Sequence, residues 1–238
     1  MTDLPPYTIR VSRRARKVSL VVSSAAGLQV VIPTGFDPGR VPEVVRQKQA
    51  WIQRALRRLS AHPSRGASAP EPITLPREVT LLAADAKWQV IYRPGAPGSV
   101  TLTETTGRRL VLKGGTQNVK LCRAALKWWL SRHAHKVLGA WLTELSSQVN
   151  LPFARISIRG QRTRWGSCSS RGSISLNYKL LFLPRPLVRY VLLHELCHGR
   201  QPNHSAAFWA LLADMEPDYR RLRNELRAAG QVVPAWAQ

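Results

Sequence analysis

The stretch YVLLHELCHGRQPNH, running from Tyr190 to His204, decides how the rest of the chain is read. An apolar run leads into His194, and His198 follows four residues later. On a helix that spacing puts both imidazoles on one face, with Cβ atoms about 5–6 Å apart, which suits two ligands of one tetrahedral ion. Glu195 adjoins the first ligand and projects beside the metal rather than onto it. From there it can take a proton from a water and pass it to a leaving group. Gly199 stands where a helix would stop and Pro202 prevents its continuing, so the chain must turn back. His204 then approaches the ion from the turn, and the pattern becomes HExxH-x5-H. A catalytic zinc takes three protein ligands and keeps one position open. The expected site is therefore one Zn2+ on His194, His198 and His204, with Glu195 as general base. Glu216 is the rival third ligand, but it precedes Pro217 at a helix junction, where capping is the plainer role. Met215 reads as core.

Outward from this window the chain alternates β-rich and helical patterns, an α+β class. Tyr7–Val11, Lys17–Val22 and Leu28–Ile32 read as strands, and Pro38 to about Leu59 as an amphipathic helix. Residues 62–72, rich in Pro, Ser, Ala and Gly, read as a linker. Four further strands are expected at Glu78–Leu82, Trp88–Tyr92, Ser99–Thr103 and Arg109–Leu112, followed by a long helix over Asn118–Gln148 with its Trp residues in the core. Arg155–Arg159 and Ser173–Leu176 read as strands around a Gly- and Ser-rich turn, Ser167 to Gly172. Helices are expected from Pro184 to His198, from Ser205 to Met215 and from Pro217 to Ala229. These patterns suggest a β-rich region over 1–115 and a second domain over 116–238.

Composition narrows the setting. Thirty-six Lys and Arg against 13 Asp and Glu give +23, and 44% of the 238 residues are hydrophobic. The chain is globular, and its field attracts phosphates, so DNA or nucleotide association through the Arg-rich surface is a candidate partnership. No apolar run is long enough to cross a bilayer, so no membrane association is expected. Three cysteines without a CxxC pair, and no secretory signal pattern, fit a reduced, cytoplasmic compartment.

Several segments together resemble the YgjP-like metallopeptidase domain, related to the SprT-like and WLM metallopeptidases. They are Arg164-Trp165-Gly166-Ser167-Cys168, Ile174-Ser175-Leu176-Asn177, Tyr190 to His198, and Asn203-His204-Ser205 with Phe208-Trp209. Tyr7, Leu28–Pro33 and Trp51-Ile52 fit as well, and the resemblance is strongest over about Leu151–Leu226. It implies a zincin-like C-terminal part, with a small mixed sheet packed on the HExxH helix, zinc on the three histidines and Glu195 as base. In zincins an edge strand beside that helix pairs with extended substrate, and Ser173–Asn177 is the candidate here. Ser173, Ser175, Asn177, Arg164 and Arg200 are accordingly the expected substrate-binding residues. Trp165, Ser167 and Cys168 read as packing and turn residues.

Three functions follow. The first is a zinc metallopeptidase acting on a protein or peptide, with DNA stimulation as a variant suggested by the related groups. The second is a metal-dependent nucleotide pyrophosphatase of UTP type, an activity associated with the resembled group, with Arg162, Arg164 and Arg200 holding the triphosphate. No Gly-rich phosphate loop supports it. The third is a basic nucleic-acid-binding module with structural zinc, which calls for Cys168 or Cys197 as a fourth ligand.

Overall fold

The computed structural model describes residues 4–13, 15–23, 27–61 and 74–238. The expected linker, 62–72, lies outside them. The chain divides into two compact units, Met1–Pro72 and Ile73–Gln238, and both mix helices with strands, as an α+β chain should. Among the described residues no helix is long and apolar enough to cross a membrane.

In the first unit, strands β1 (Tyr7–Ser12), β2 (Ser19–Ser23) and β3 (Gly27–Pro33) form a sheet of order β1-β3-β2, with β1 parallel and β2 antiparallel to β3. Leu28, Val30 and Ile32 alternate along β3 and meet Val41, Val45 and Ile52 from the helices that follow. The single helix expected over Pro38–Leu59 is instead a short 3-10 turn and two helices, α1 (Val41–Gln47) and α2 (Gln49–Ala61). The break falls at Lys48, whose φ of −104° and ψ of 11° lie outside the helical basin.

The second unit begins with a four-stranded sheet. Strands β4 (Glu78–Leu81), β5 (Ala86–Pro94), β6 (Val100–Thr105) and β7 (Arg109–Gly114) lie in the order β4-β5-β7-β6. Helix α3 (Val119–Gln148) follows, capped by Asn118, whose Oδ1 accepts from the amides of Lys120 and Leu121 at 3.1 and 3.2 Å. The expected boundary near residue 115 does not exist. Val79, Leu81, Trp88, Leu110 and Leu112 share one core with Leu126, Trp129 and Leu130 of α3, and that core continues to the C-terminal helices. A β-rich composition therefore marks a sheet within the domain, not a domain of its own.

Strands β8 (Arg155–Arg159), β9 (Gly166–Cys168) and β10 (Ser173–Asn177) make a third sheet of order β8-β10-β9. Helix α4 (Arg185–Cys197) packs against β9, and α5 (Ala206–Met215) and α6 (Tyr219–Ala228) pack on α4. Two expectations are corrected here. The Gly- and Ser-rich segment opens with a strand, β9. Ser173–Asn177 is the central strand, parallel to β8 and antiparallel to β9, so its backbone is committed on both sides. It cannot add a substrate strand. The edge beside α4 belongs to β9.

Candidate metal centre

Helix α4 is apolar almost throughout, with Leu187, Val188, Val191, Leu192, Leu193 and Leu196 buried, and this fixes which side of its last turn faces the site. His194 and Glu195 lie in that turn and His198 caps it. The chain then reverses through Gly199–Gln201, with the amides of Arg200 and Gln201 bonded to the Cys197 carbonyl at 3.1 and 2.8 Å. Ser205 caps α5, its Oγ accepting from the Phe208 amide at 3.3 Å, which holds His204 over the start of that helix.

These local choices bring His194, His198 and His204 together, with one ring nitrogen from each inside a common 4.8 Å. Phe208, fully buried, underlies all three, with ring centroids 5.0, 4.7 and 4.8 Å from theirs. Trp209 stacks on His204 at 5.4 Å and on Tyr219 at 5.5 Å, and the Arg223 guanidinium lies 4.6 Å above Trp209. The outer ligand is thus braced by an aromatic stack.

The donor set suits a cation. Burial, reinforced by the neighbouring His198, His204 and Arg223, pulls the His194 pKa down to about 3. Burial, His198 and Arg223 lower that of His204 as well. Nε2 of His194 and Nε2 of His204 face each other at 3.0 Å. A proton carried on one of the two neutral rings, or a shared cation, can occupy that approach, and the depressed basicity keeps both rings neutral and so able to offer a lone pair to a metal. His198 sets its Nδ1 3.2 Å from the Gln201 carbonyl, and the tautomer that donates there leaves Nε2 free to ligate. The group can hold a metal ion. Neither Cys168 nor Cys197 joins it among the described residues. Burial pushes the Cys197 thiol up to about 12, so that side chain is an inert core group. Glu216, the rival ligand, is ion-paired with Arg189, which also bonds the Met215 carbonyl.

Glu195 is only 5% exposed, and its Oε2 has no partner among the described residues. Burial pushes its carboxyl up to about 8, against the opposing charge of Arg164. An open cleft of about 240 Å3, lined by Arg164, Trp165, Gly166, Tyr190, Val191 and Leu226, gives onto His194 and Glu195. The arrangement offers a proton acceptor, a candidate metal position and room for a substrate bond beside both.

Of the expected substrate-binding residues, Arg164 lines the cleft and Arg200, exposed on the turn, does not. Asn177 is structural: its Nδ2 donates to the carbonyls of Gln161 and Arg164, both at 2.8 Å, and its Oδ1 accepts from the Lys179 amide. Trp165, read as packing, lines the cleft. Gly166 was not recognisable as a site residue, because its role arises from the approach of β9 to α4.

A family model described as "YgjP-like, metallopeptidase domain" matches residues 16–229. A segment of 66 residues is 30% identical to an Escherichia coli (strain K12) protein named UTP pyrophosphatase, covering 28% of this chain and 40% of that protein's length.

Proposed function

The chain belongs to the YgjP-like metallopeptidase family, and on that premise we propose that it is a zinc-dependent hydrolase whose first substrate class is the peptide bond. One observation carries the reading: three imidazoles converge beside a buried glutamate oxygen that has no partner among the described residues, with an open cleft against His194 and Glu195. His194, His198 and His204 would hold the ion in a zincin-like arrangement, and when bound it would supply Lewis acidity to the scissile group and to a water. Glu195 accepts that water's proton on its free oxygen and returns it to the leaving group, a shuttle suited to a carboxyl raised toward neutrality. Arg164 moderates the rise. Trp165 and Tyr190 wall the cleft. The β9 edge, rather than β10, is the strand available to extended substrate.

A nucleotide substrate is the second reading, favoured by the partial likeness to a protein named UTP pyrophosphatase. Stimulation by DNA is a further proposal resting on the +23 charge. Incubating the zinc-loaded protein with a peptide mixture, and separately with nucleoside triphosphates, decides between the first two. The expected result is new peptide termini formed by wild type and abolished in Glu195→Gln. Release of phosphate or pyrophosphate with intact peptides would move the assignment to the second reading.

A further inference from the structure

A second cavity, of about 190 Å3, adjoins the cleft and shares Arg164, Trp165 and Leu226 with it. Four of its lining residues are cations: Arg162, Arg164, Lys179 and Arg227. No Asp or Glu side chain lines it, and none of the four appears in an ion pair among the described residues. The main-chain oxygen of Gln238, also at this cavity, is already held by Arg123 and Lys127. Lys179 is the informative member. It is only 8% exposed, and its Nζ donates to the Gln161 carbonyl at 3.4 Å, which does not balance a charge. Burying an ammonium without a counterion is costly, so the position makes physical sense when an anion occupies the cavity. Arg162, Arg164 and Arg227 reach the same cavity from its exposed side, and forked guanidinium donors around a buried ammonium fit a phosphoryl group, with its three acceptor oxygens and greater charge, better than a carboxylate.

We propose that Arg162, Arg164, Lys179 and Arg227 form a phosphoryl-binding subsite contiguous with the metal centre, which holds a phosphate group of the substrate beside the bond to be hydrolysed. The placement of that bond rests on the hydrolase reading, while the anion binding does not. The subsite takes a terminal phosphate from a nucleotide or from a phosphorylated peptide by the same contacts.

The test is calorimetric titration of the full-length, zinc-loaded protein with inorganic pyrophosphate at low salt, repeated after chelation. Wild type is compared with Lys179→Met, which keeps the buried stem, and with Arg162→Ala/Arg227→Ala, two exposed positions whose loss leaves the core intact. The proposal expects binding in wild type with and without metal, weakened about tenfold or more in both variants and by added salt. Absence of binding at low salt, binding that survives both variants, or citrate binding as tightly as pyrophosphate would each overturn it. Nucleoside triphosphate and phosphoserine-peptide titrations identify the source, the tighter ligand being the one whose loss in the variants is larger. Binding that persists in protein unable to hold zinc would sustain the subsite even where the hydrolase reading fails.

Discussion

A methyl group placed on Gly166 would lie 2.6 Å from Oε1 of Glu195 and 2.8 Å from its Cγ, so the edge strand and the candidate general base occupy touching space. Only a residue without a side chain lets β9 come this close to α4. The helix backbone at Glu195 is fixed by its buried neighbours Val191, Leu192 and Leu196, so the clash falls on the carboxylate side chain. Gly166→Ala should therefore displace the carboxylate while leaving the histidines in place. We expect at least about a hundredfold loss of kcat, the scale of losing a positioned acid–base group, with zinc content unchanged. Activity within a few-fold of wild type would show that Glu195 is not held against β9.

Glu216 offers the converse case. Its carboxylate is committed to Arg189, so Glu216→Gln should keep full zinc content and activity. It should lower stability by about 1 kcal/mol, the worth of a charge-assisted contact that is only partly buried, read from urea unfolding. Loss of zinc in this variant would make Glu216 a ligand after all.

His133 gives a pH dependence remote from the metal. It is packed between Trp88 and Trp129, with ring centroids at 5.5 and 5.3 Å. Burial lowers its pKa below 6.5, with Lys136 and Arg108 in the same direction and Glu104 opposing. The unfolded chain takes a proton near pH 6.5 that the folded protein refuses, so the contribution is full above that pH and is lost as pH falls below it. His133→Phe removes this term. Wild type should lose stability relative to the variant between pH 7.5 and 5, and a pH-independent difference would contradict the assignment.

The thiols should separate by environment. Cys122 and Cys197 are buried, and burial raises the pKa of each. Cys168 is partly exposed, although burial and the nearby Glu195 raise its pKa too. A thiol reagent at pH 8 should label the folded protein slowly and at Cys168 alone, with all three reacting in denaturant. Rapid labelling of Cys197 would mean that α4 opens.

The candidate site was legible where it is local. Two histidines a helical turn apart, a glycine and a proline that turn the chain, and a third histidine beyond them are all encoded within His194–His204. What depends on distant pairing was not. β9 is three residues long, and Gly166-Ser167-Cys168 has no apolar alternation to announce a strand; it exists because β10 and α4 receive it. For the same reason no pattern in Ser173–Asn177 tells a central strand from an edge. The boundary at 115 failed because the burial shared by Trp88, Leu110 and Trp129 is a property of the core, not of strand-rich composition. Lys179 carries no sequence signal either: its neighbours Leu180 and Leu181 make a buried turn, and only the fold shows a lysine among them.

The most direct test of the account is elemental analysis of the purified protein, wild type beside His204→Ala, after reconstitution with zinc and removal of excess. The account predicts about one zinc per chain in wild type and near-complete loss in His204→Ala, as expected when one of three ligands is removed. Wild type without bound zinc, or His204→Ala binding it as fully as wild type, would contradict the three-histidine centre on which the proposed hydrolysis depends.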